Sequence, residues 1–376
     1  LLGFLECPML KGLAKIFQRH QRNFEAFQVE ISSYSSPDCE TCPRAIFAEE
    51  WIFQNMSMAT FQNIARHFAL AQWIFFQGWG DPLENPEIIP MLQIAKGAGC
   101  KVRLTTQGFL LDSSLSESLI ASALDLLVIR FEGVIRDIEE SLHGGSEFNH
   151  VLQKIRDFID RRGRRHEKNP RVTLSFLMTR LNMAGLPKLV PLAADLGVDE
   201  LAFSHLDYLP NERCNLLRAF YHESRTPAFE KTVDQLQEIG RQYGISTRIP
   251  PLQAKEVFVC EPNPLRRVFF AVDGSVAPCP YLRIPKRGDL PRIFLHRKYT
   301  VPQMAFGNIG QEDFLAIWQK ASYEEFRNLF GERRRAEINM PSIFDLLSGD
   351  RSLSDSTISH PPFPAVCQSC YKAYGI

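Results

Sequence analysis

Between Phe24 and residue 250 the chain alternates between two hydrophobic periods, and no other feature restricts its fold as much. Strand-like runs stand at Ala26–Ser32, Gln72–Phe76, Lys101–Thr105, Asp125–Phe131, Arg171–Phe176 and Glu200–Ser204. Helical patterns follow most of them, at Ile46–His67, Pro86–Lys96, Ser114–Ala123, Glu147–Asp160, Leu186–Leu196 and Pro227–Tyr243. Strands joined through helices pair in parallel with right-handed crossovers. The expected fold class is therefore α/β, with a parallel sheet that is either open or curled into a partial, TIM-like (β/α) barrel of six strands. Such sheets send their loops to one face, at the carboxyl ends of the strands, where ligands bind.

The rhythm changes after Pro250. Residues 251–376 hold short apolar runs, many prolines and four of the nine cysteines, so a small C-terminal cysteine-rich domain stapled by a metal is expected. Within it Leu346 to Pro364 is rich in Ser, Asp and Pro and reads as an exposed, disordered loop. At the other end, residues 9–22 read as a short amphipathic helix. The organisation is an N-terminal helix (1–23), a barrel (24–250) and a tail domain (251–376).

Composition narrows the function. Forty-three Lys+Arg balance 43 Asp+Glu, which removes the long-range attraction expected of a nucleic-acid binder. The longest strongly apolar stretch, Phe68 to Phe76, is too short to span a bilayer. An odd cysteine count with two close pairs, Cys39/Cys42 and Cys367/Cys370, does not resemble a secreted disulfide framework. Such pairs hold metal or perform redox chemistry, and they imply a reducing cytoplasm.

Six segments follow the six strands. The loop Tyr34 to Arg44 carries two thiols, suited to a soft metal or to a redox pair. Gly78-Trp79-Gly80-Asp81-Pro82-Leu83 combines glycines that admit a ligand closely with a carboxylate that can meet an amine. Thr105-Thr106-Gln107-Gly108, Arg130-Phe131-Glu132-Gly133, Met178 to Asn182 and His205-Leu206-Asp207-Tyr208 complete the set. Each alone is a weak signal, but parallel strands would converge them on one cavity. In the tail, an Asp273-Gly274 turn between Val268–Val272 and Val276–Pro278 predicts a hairpin. It would bring Cys260 and Cys279 towards Cys367 and Cys370 as four thiolates for zinc or for an iron–sulfur cluster. The basic clusters at 161–165 and 333–335 read as solvated surface.

These motifs together resemble the radical S-adenosylmethionine superfamily, in the branch with a C-terminal SPASM or twitch domain. The resemblance covers Phe24 to the end. It implies that Cys39 and Cys42 are the second and third ligands of a [4Fe–4S] cluster, with Ser35 standing where the first cysteine is usual. It implies that Gly78, Trp79, Gly80, Asp81, Thr105, Gln107 and Arg130 surround S-adenosylmethionine. Asp81 replaces the more usual Glu, Gln107 replaces Asn, and Arg130 stands where a small hydroxyl residue is common. Cys260, Gly274 and Cys279 match the C-x(9–15)-G-x4-C signature, and residues 307–318 are similar to the segment that follows it. With Cys367 and Cys370 they would hold one auxiliary [4Fe–4S] cluster. The implied activity is reductive cleavage of S-adenosylmethionine to a 5′-deoxyadenosyl radical, which takes hydrogen from a peptide, protein or small molecule. The implied partner is a reductant such as flavodoxin or ferredoxin. A thiol ionises far more readily than a hydroxyl, so Ser35 also raises the alternative of a degenerate, non-catalytic iron–sulfur partner. Among the other cysteines, Cys7 and Cys100 read as small buried residues, and Cys214, after strand six, could stand in as a ligand.

Overall fold

The computed structural model describes residues 22–35, 41–131, 147–338 and 360–376. Cys39, Cys7, Glu132-Gly133, the helix expected over 9–22 (except Arg22) and the loop from 346 to 359 lie outside the described residues.

All six expected strands form: β1 (Phe24–Val29), β2 (Ala71–Phe76), β3 (Lys101–Thr106), β4 (Leu126–Phe131), β5 (Arg171–Met178) and β6 (Glu200–His205). They pair in parallel and in sequence order, from β1 against β2 through to β5 against β6. A short β7 (Ser246–Arg248) extends the β6 edge. On the opposite edge β1 pairs in parallel with β8 (Arg267–Phe270), so Ala26 stands beside both Trp73 and Arg267. The tail therefore continues the barrel sheet. β9 (Ser275–Ala277) folds back antiparallel on β8, and β12 (Gly307–Asn308) closes that edge. A separate ribbon pairs β10 (Leu290–Phe294) with β11 (Arg297–Val301).

The β8–β9 turn is the one the sequence predicts. Gly274 has φ +83°, a left-handed backbone that glycine adopts without a Cβ penalty. The Asp273 carboxylate accepts from the Ser275 N–H at 3.0 Å.

The helices are α1 (Pro43–Ile46), α2 (Met58–Ala65), α3 (Ile88–Gly97), α4 (Ser113–Ala121), α5 (Glu147–Arg164), α6 (Leu189–Leu196), α7 (Glu212–Leu217), α8 (Pro227–Tyr243), α9 (Phe314–Trp318) and α10 (Ala321–Ile338). Their apolar faces and the sheet share one core, in which Phe27, Ile74, Leu104, Ile129 and Leu174 meet Phe61, Leu92, Leu119, Ile155 and Leu236. Side chains alternate along a strand. Hence Val102 and Leu104 join that core while Arg103 and Thr105 take the other face of β3.

Two expectations change. The helix expected over Ile46–His67 splits into α1 and α2, because its middle is drawn into tertiary pairing. Ser33 N–H donates to Gln54 O, Met56 N–H to Ile31 O and Ile52 N–H to Pro285 O, each at 2.8–2.9 Å. Helix α2 restarts at Ser57, whose hydroxyl accepts from Thr60 N–H, a cap worth about 1 kcal/mol.

The second correction concerns Arg333, expected on the surface but fully buried at 0% exposure. Its guanidinium donates to Phe258 O at 3.0 Å, Val257 O at 2.8 Å and Pro361 O at 2.5 Å, and pairs with Glu256 at 2.8 Å. It also stacks 3.6 Å over the Phe363 ring, which is itself buried although it lies in the stretch expected to be exposed. Arg333 thus pins the chain after residue 360 to α10 and to residues 256–258. An Arg333→Met variant leaves three carbonyls without donors and is expected to lower stability on the order of 3 kcal/mol. Urea titration followed by limited proteolysis of the tail checks this; a change under about 0.5 kcal/mol would place the anchor elsewhere.

Candidate functional site

Two cavities lie on the carboxyl-end side of the sheet. The first, of about 250 Å3, is lined by Ser35, Gln77, Gly78, Trp79, Gly80, Asp81, Thr105, Thr106, Gln107 and Arg130. It unites the segments after β1, β2, β3 and β4, as expected from parallel strands. Gly80 lies so close to the carbonyls of Ser32 and Tyr34 that a Cβ there would strike backbone.

Asp81 is 5% exposed and already holds three donors. Its Oδ1 accepts from Leu83 N–H at 2.9 Å, and its Oδ2 accepts from the Thr106 hydroxyl at 2.7 Å and Gln107 N–H at 2.8 Å. The carboxylate thereby joins the β2 loop to the β3 loop. Burial pushes its acid up, against the pull of those donors and of Arg130. Thr105 donates to Gln77 Oε1 at 3.2 Å. Burial lowers the Arg130 guanidinium, partly offset by Tyr281, Cys42, Asp207 and Asp81.

Ser35 lines the same cavity, and its hydroxyl donates to Gln107 Oε1 at 3.0 Å. Cys42 is buried at the start of α1, where its carbonyl accepts from Ala45 and Ile46. Cys214, the conceivable substitute ligand, is packed at 0% exposure among Leu206, Leu209 and Leu217. Cys100 is likewise buried and donates to Phe68 O at 3.2 Å.

The second cavity, of about 310 Å3, is lined by Cys260, Cys279, Cys367 and Cys370 together with Tyr281, Arg292 and Lys372. The hairpin positions Cys279, and tight turns position the last pair: Cys367 N–H donates to Pro364 O at 2.7 Å and Cys370 N–H to Cys367 O at 3.0 Å. Burial, and then the neighbouring sulfurs, push the Cys260 and Cys367 thiols well up, and push Cys279 up to about 12. Four thiols cannot ionise together in such a dry site unless a polycationic group compensates them. The donor set therefore fits a metal group. Among the described residues no three His, Cys, Asp or Glu converge as ligands of a single metal ion. Four sulfurs spread around one cavity suit a cluster better than one zinc ion. Arg292, which the sequence reading missed, donates from this wall to Val366 O at 3.0 Å and to Tyr281 O.

Between the cavities lies a polar seam. Tyr281 donates to Asp207 Oδ2 at 2.8 Å, and Lys372 Nζ approaches the same oxygen at 2.6 Å. The Trp79 ring meets both Tyr208 and Tyr281 edge-on at 5.7 Å between centroids. Asp207 and Tyr208 thus join the seam. His205 does not: its Nε2–H donates to Pro251 O at 2.9 Å, and burial lowers it to about 4. Thr179 and Asn182 close their own turn. Arg161 and Arg162 of the first basic cluster pair with Glu117 and Asp199.

Residues 260–342 match the SPASM family, described as an iron–sulfur cluster-binding domain. With the parallel sheet and the cysteine cavity, this decides the assignment. The chain carries a SPASM domain, and as a whole it resembles the radical S-adenosylmethionine proteins. It is 25% identical, over 80% of this chain and 82% of the relative, to a tungsten-containing aldehyde ferredoxin oxidoreductase cofactor-modifying protein of Pyrococcus furiosus. It is 28% identical, over 65% of this chain and 62% of the relative, to the PqqA peptide cyclase of Gluconobacter oxydans. Its fold is similar to that of Streptococcus suis SuiB, solved with S-adenosylmethionine bound, with TM-score 0.58 at 14% identity over 85% of this chain and 72% of SuiB. Among the described residues no helix is long and apolar enough to cross a membrane.

The hydrogen bonds to Asp81 give a direct test of how the first cavity is held together. Asp81→Asn turns an amide N–H2 towards the donors of Leu83, Thr106 or Gln107, and is expected to cost about 1–3 kcal/mol. Thermal unfolding of the variant, beside Thr106→Val as a milder control, reads that loss; an unchanged melting temperature would contradict it.

Proposed function

We propose that the chain is a radical S-adenosylmethionine enzyme whose first cavity binds the cofactor and whose substrate sits at the seam towards the SPASM domain. The observation that carries this reading is the convergence of Ser35, the Gly78–Asp81 loop, Thr105, Gln107 and Arg130 on one cavity beside the cysteine loop. Cys39 and Cys42 would hold the cluster, with Ser35 beside them as a third, weaker ligand. A reduced four-iron cluster held there would supply the electron for cleaving S-adenosylmethionine to methionine and a 5′-deoxyadenosyl radical, which would take hydrogen from the substrate.

The residues of this chain shape that event. Gly80, free of a side chain, lets the glycine-rich loop pack directly against the backbone of Ser32 to Tyr34 and so sets one wall of the cavity. Asp81 fixes the two loops that flank it and offers its remaining lone pairs to an amine. Arg130 keeps a cation at the floor of the cavity, and Trp79, Tyr208 and Tyr281 screen the seam from water. The PqqA peptide cyclase relative favours a peptide or protein substrate. The auxiliary cluster would accept or relay electrons from the substrate side, and a flavodoxin or ferredoxin would supply the reducing equivalent.

A second reading has its own observation. The Ser35 hydroxyl is engaged by Gln107, which favours a chain that loads only the tail cluster and acts as an electron-transfer or binding partner.

Iron and sulfide content after anaerobic reconstitution, with EPR before and after adding S-adenosylmethionine, separates the two. About eight irons and a spectrum altered by the cofactor are expected for the enzyme. About four irons and an unresponsive spectrum would sink it, and a Ser35→Cys variant that then gains about four irons would establish the degenerate form.

A further inference from the structure

We propose that Glu30 is a positioning residue, whose carboxylate fixes the glycine-rich loop of the cofactor cavity and ties it to the hairpin that carries Cys279. The proposal rests on reading the first cavity as the cofactor site.

Glu30 follows β1 directly and is 1% exposed. A carboxylate buried so completely needs donors, and it finds one on each side. Its Oε1 accepts from Trp79 N–H at 2.7 Å, within the loop, and its Oε2 accepts from Val272 N–H at 3.3 Å, just after β8. The neighbouring Gly78 admits no side chain, because a Cβ would collide with the Glu30 stem. Trp79 is held a second time through its indole N–H, which donates to Pro280 O at 3.0 Å, one residue beyond Cys279. Backbone and side chain of one loop residue are therefore both fastened to the segment that forms the second cavity. Glu30 is the only side chain in this set whose two acceptor atoms reach both segments at once.

The ionisation of Glu30 bears on how firmly it holds them. Burial, with Asp273 nearby, pushes its acid up to about 7 against the pull of Trp79 N–H, Val272 N–H and Arg283. Asp273 and Arg283 form an ion pair with each other. Above that pH both oxygens are acceptors. Because its acid in the closed clamp lies above the ordinary carboxylate value, closure takes up a proton, so the clamp is favoured at low pH and loosens as pH rises through about 7.

The test uses the full chain reconstituted with iron and sulfide. S-adenosylmethionine binding is measured by equilibrium dialysis from about pH 5.5 to about pH 8.5, with amide hydrogen exchange on the same samples. The wild type is expected to bind about tenfold more weakly at the alkaline end, with a midpoint near that of Glu30. Glu30→Gln, which keeps shape but cannot ionise, is expected to bind about tenfold more weakly at neutral pH and to lose the pH dependence. Its exchange should quicken together at residues 78–82 and 270–276 while its iron content stays unchanged. A Glu30→Gln protein with wild-type affinity and a wild-type pH profile overturns the proposal. If the wild type binds no S-adenosylmethionine, the cofactor reading fails, and exchange alone judges the clamp. Joint acceleration of both segments as pH rises, beyond the intrinsic exchange rate, upholds it in the wild type, and the absence of such acceleration removes it.

Discussion

The structure depends on the two-sided pairing of β1. That strand is hydrogen-bonded to β2 on one side and to β8 on the other, both in parallel. Because β8 belongs to the tail, the barrel and the SPASM domain share a sheet edge. The parallel direction then forces the exits of β1, β2 and β8 onto the same side. The cysteine loop, the glycine-rich loop and the hairpin leading to Cys279 are therefore neighbours by construction. A flexible tether between two separate domains would not bring the glycine-loop cavity and the cysteine cavity into contact through Trp79, Tyr208 and Tyr281.

Charge placement follows from that closeness. Burial opposes ionisation of Cys260, Cys279 and Cys367, so a cationic metal group makes the arrangement favourable. The nearby cations serve other ends. Arg292 donates to main-chain carbonyls and fastens β10 to both halves of the cysteine cavity. Lys372 is matched by Asp207, which also takes the Tyr281 hydroxyl, leaving the seam polar but internally balanced. In the first cavity the buried acid Asp81 is surrounded by donors rather than by a single counter-ion. Such shared hydrogen bonds tie loops together as well as stabilising the charge.

Much of this was legible from residue order. Val102, Leu104, Leu127, Ile129 and Leu174 announce buried parallel strands by period, and all six strands stand within a few residues of their expected bounds. Asp273-Gly274 announces a hairpin because only a glycine takes that backbone cheaply. What failed did so for long-range reasons. Residues 47–57 have helical periodicity, yet Ile31, Ser33 and Pro285 offer them backbone partners that no local pattern can reveal. Arg333 stands in a basic run that looks solvated, and its burial is decided by carbonyls from residues 257, 258 and 361. Glu30 passed unnoticed because a single acid after a strand carries no motif.

The sequence by itself determined the α/β class, the order of the strands, the cysteine spacing and the glycine-rich loop, since each is written in local periodicity or in residues a few positions apart. Only the tertiary structure decided that β8 lies beside β1, that Ser35 meets Gln107, and that Trp79 is fastened to the tail. Those contacts join residues separated by about 70 to about 240 positions, and they form because parallel hydrogen bonding and burial of backbone donors leave few other partners.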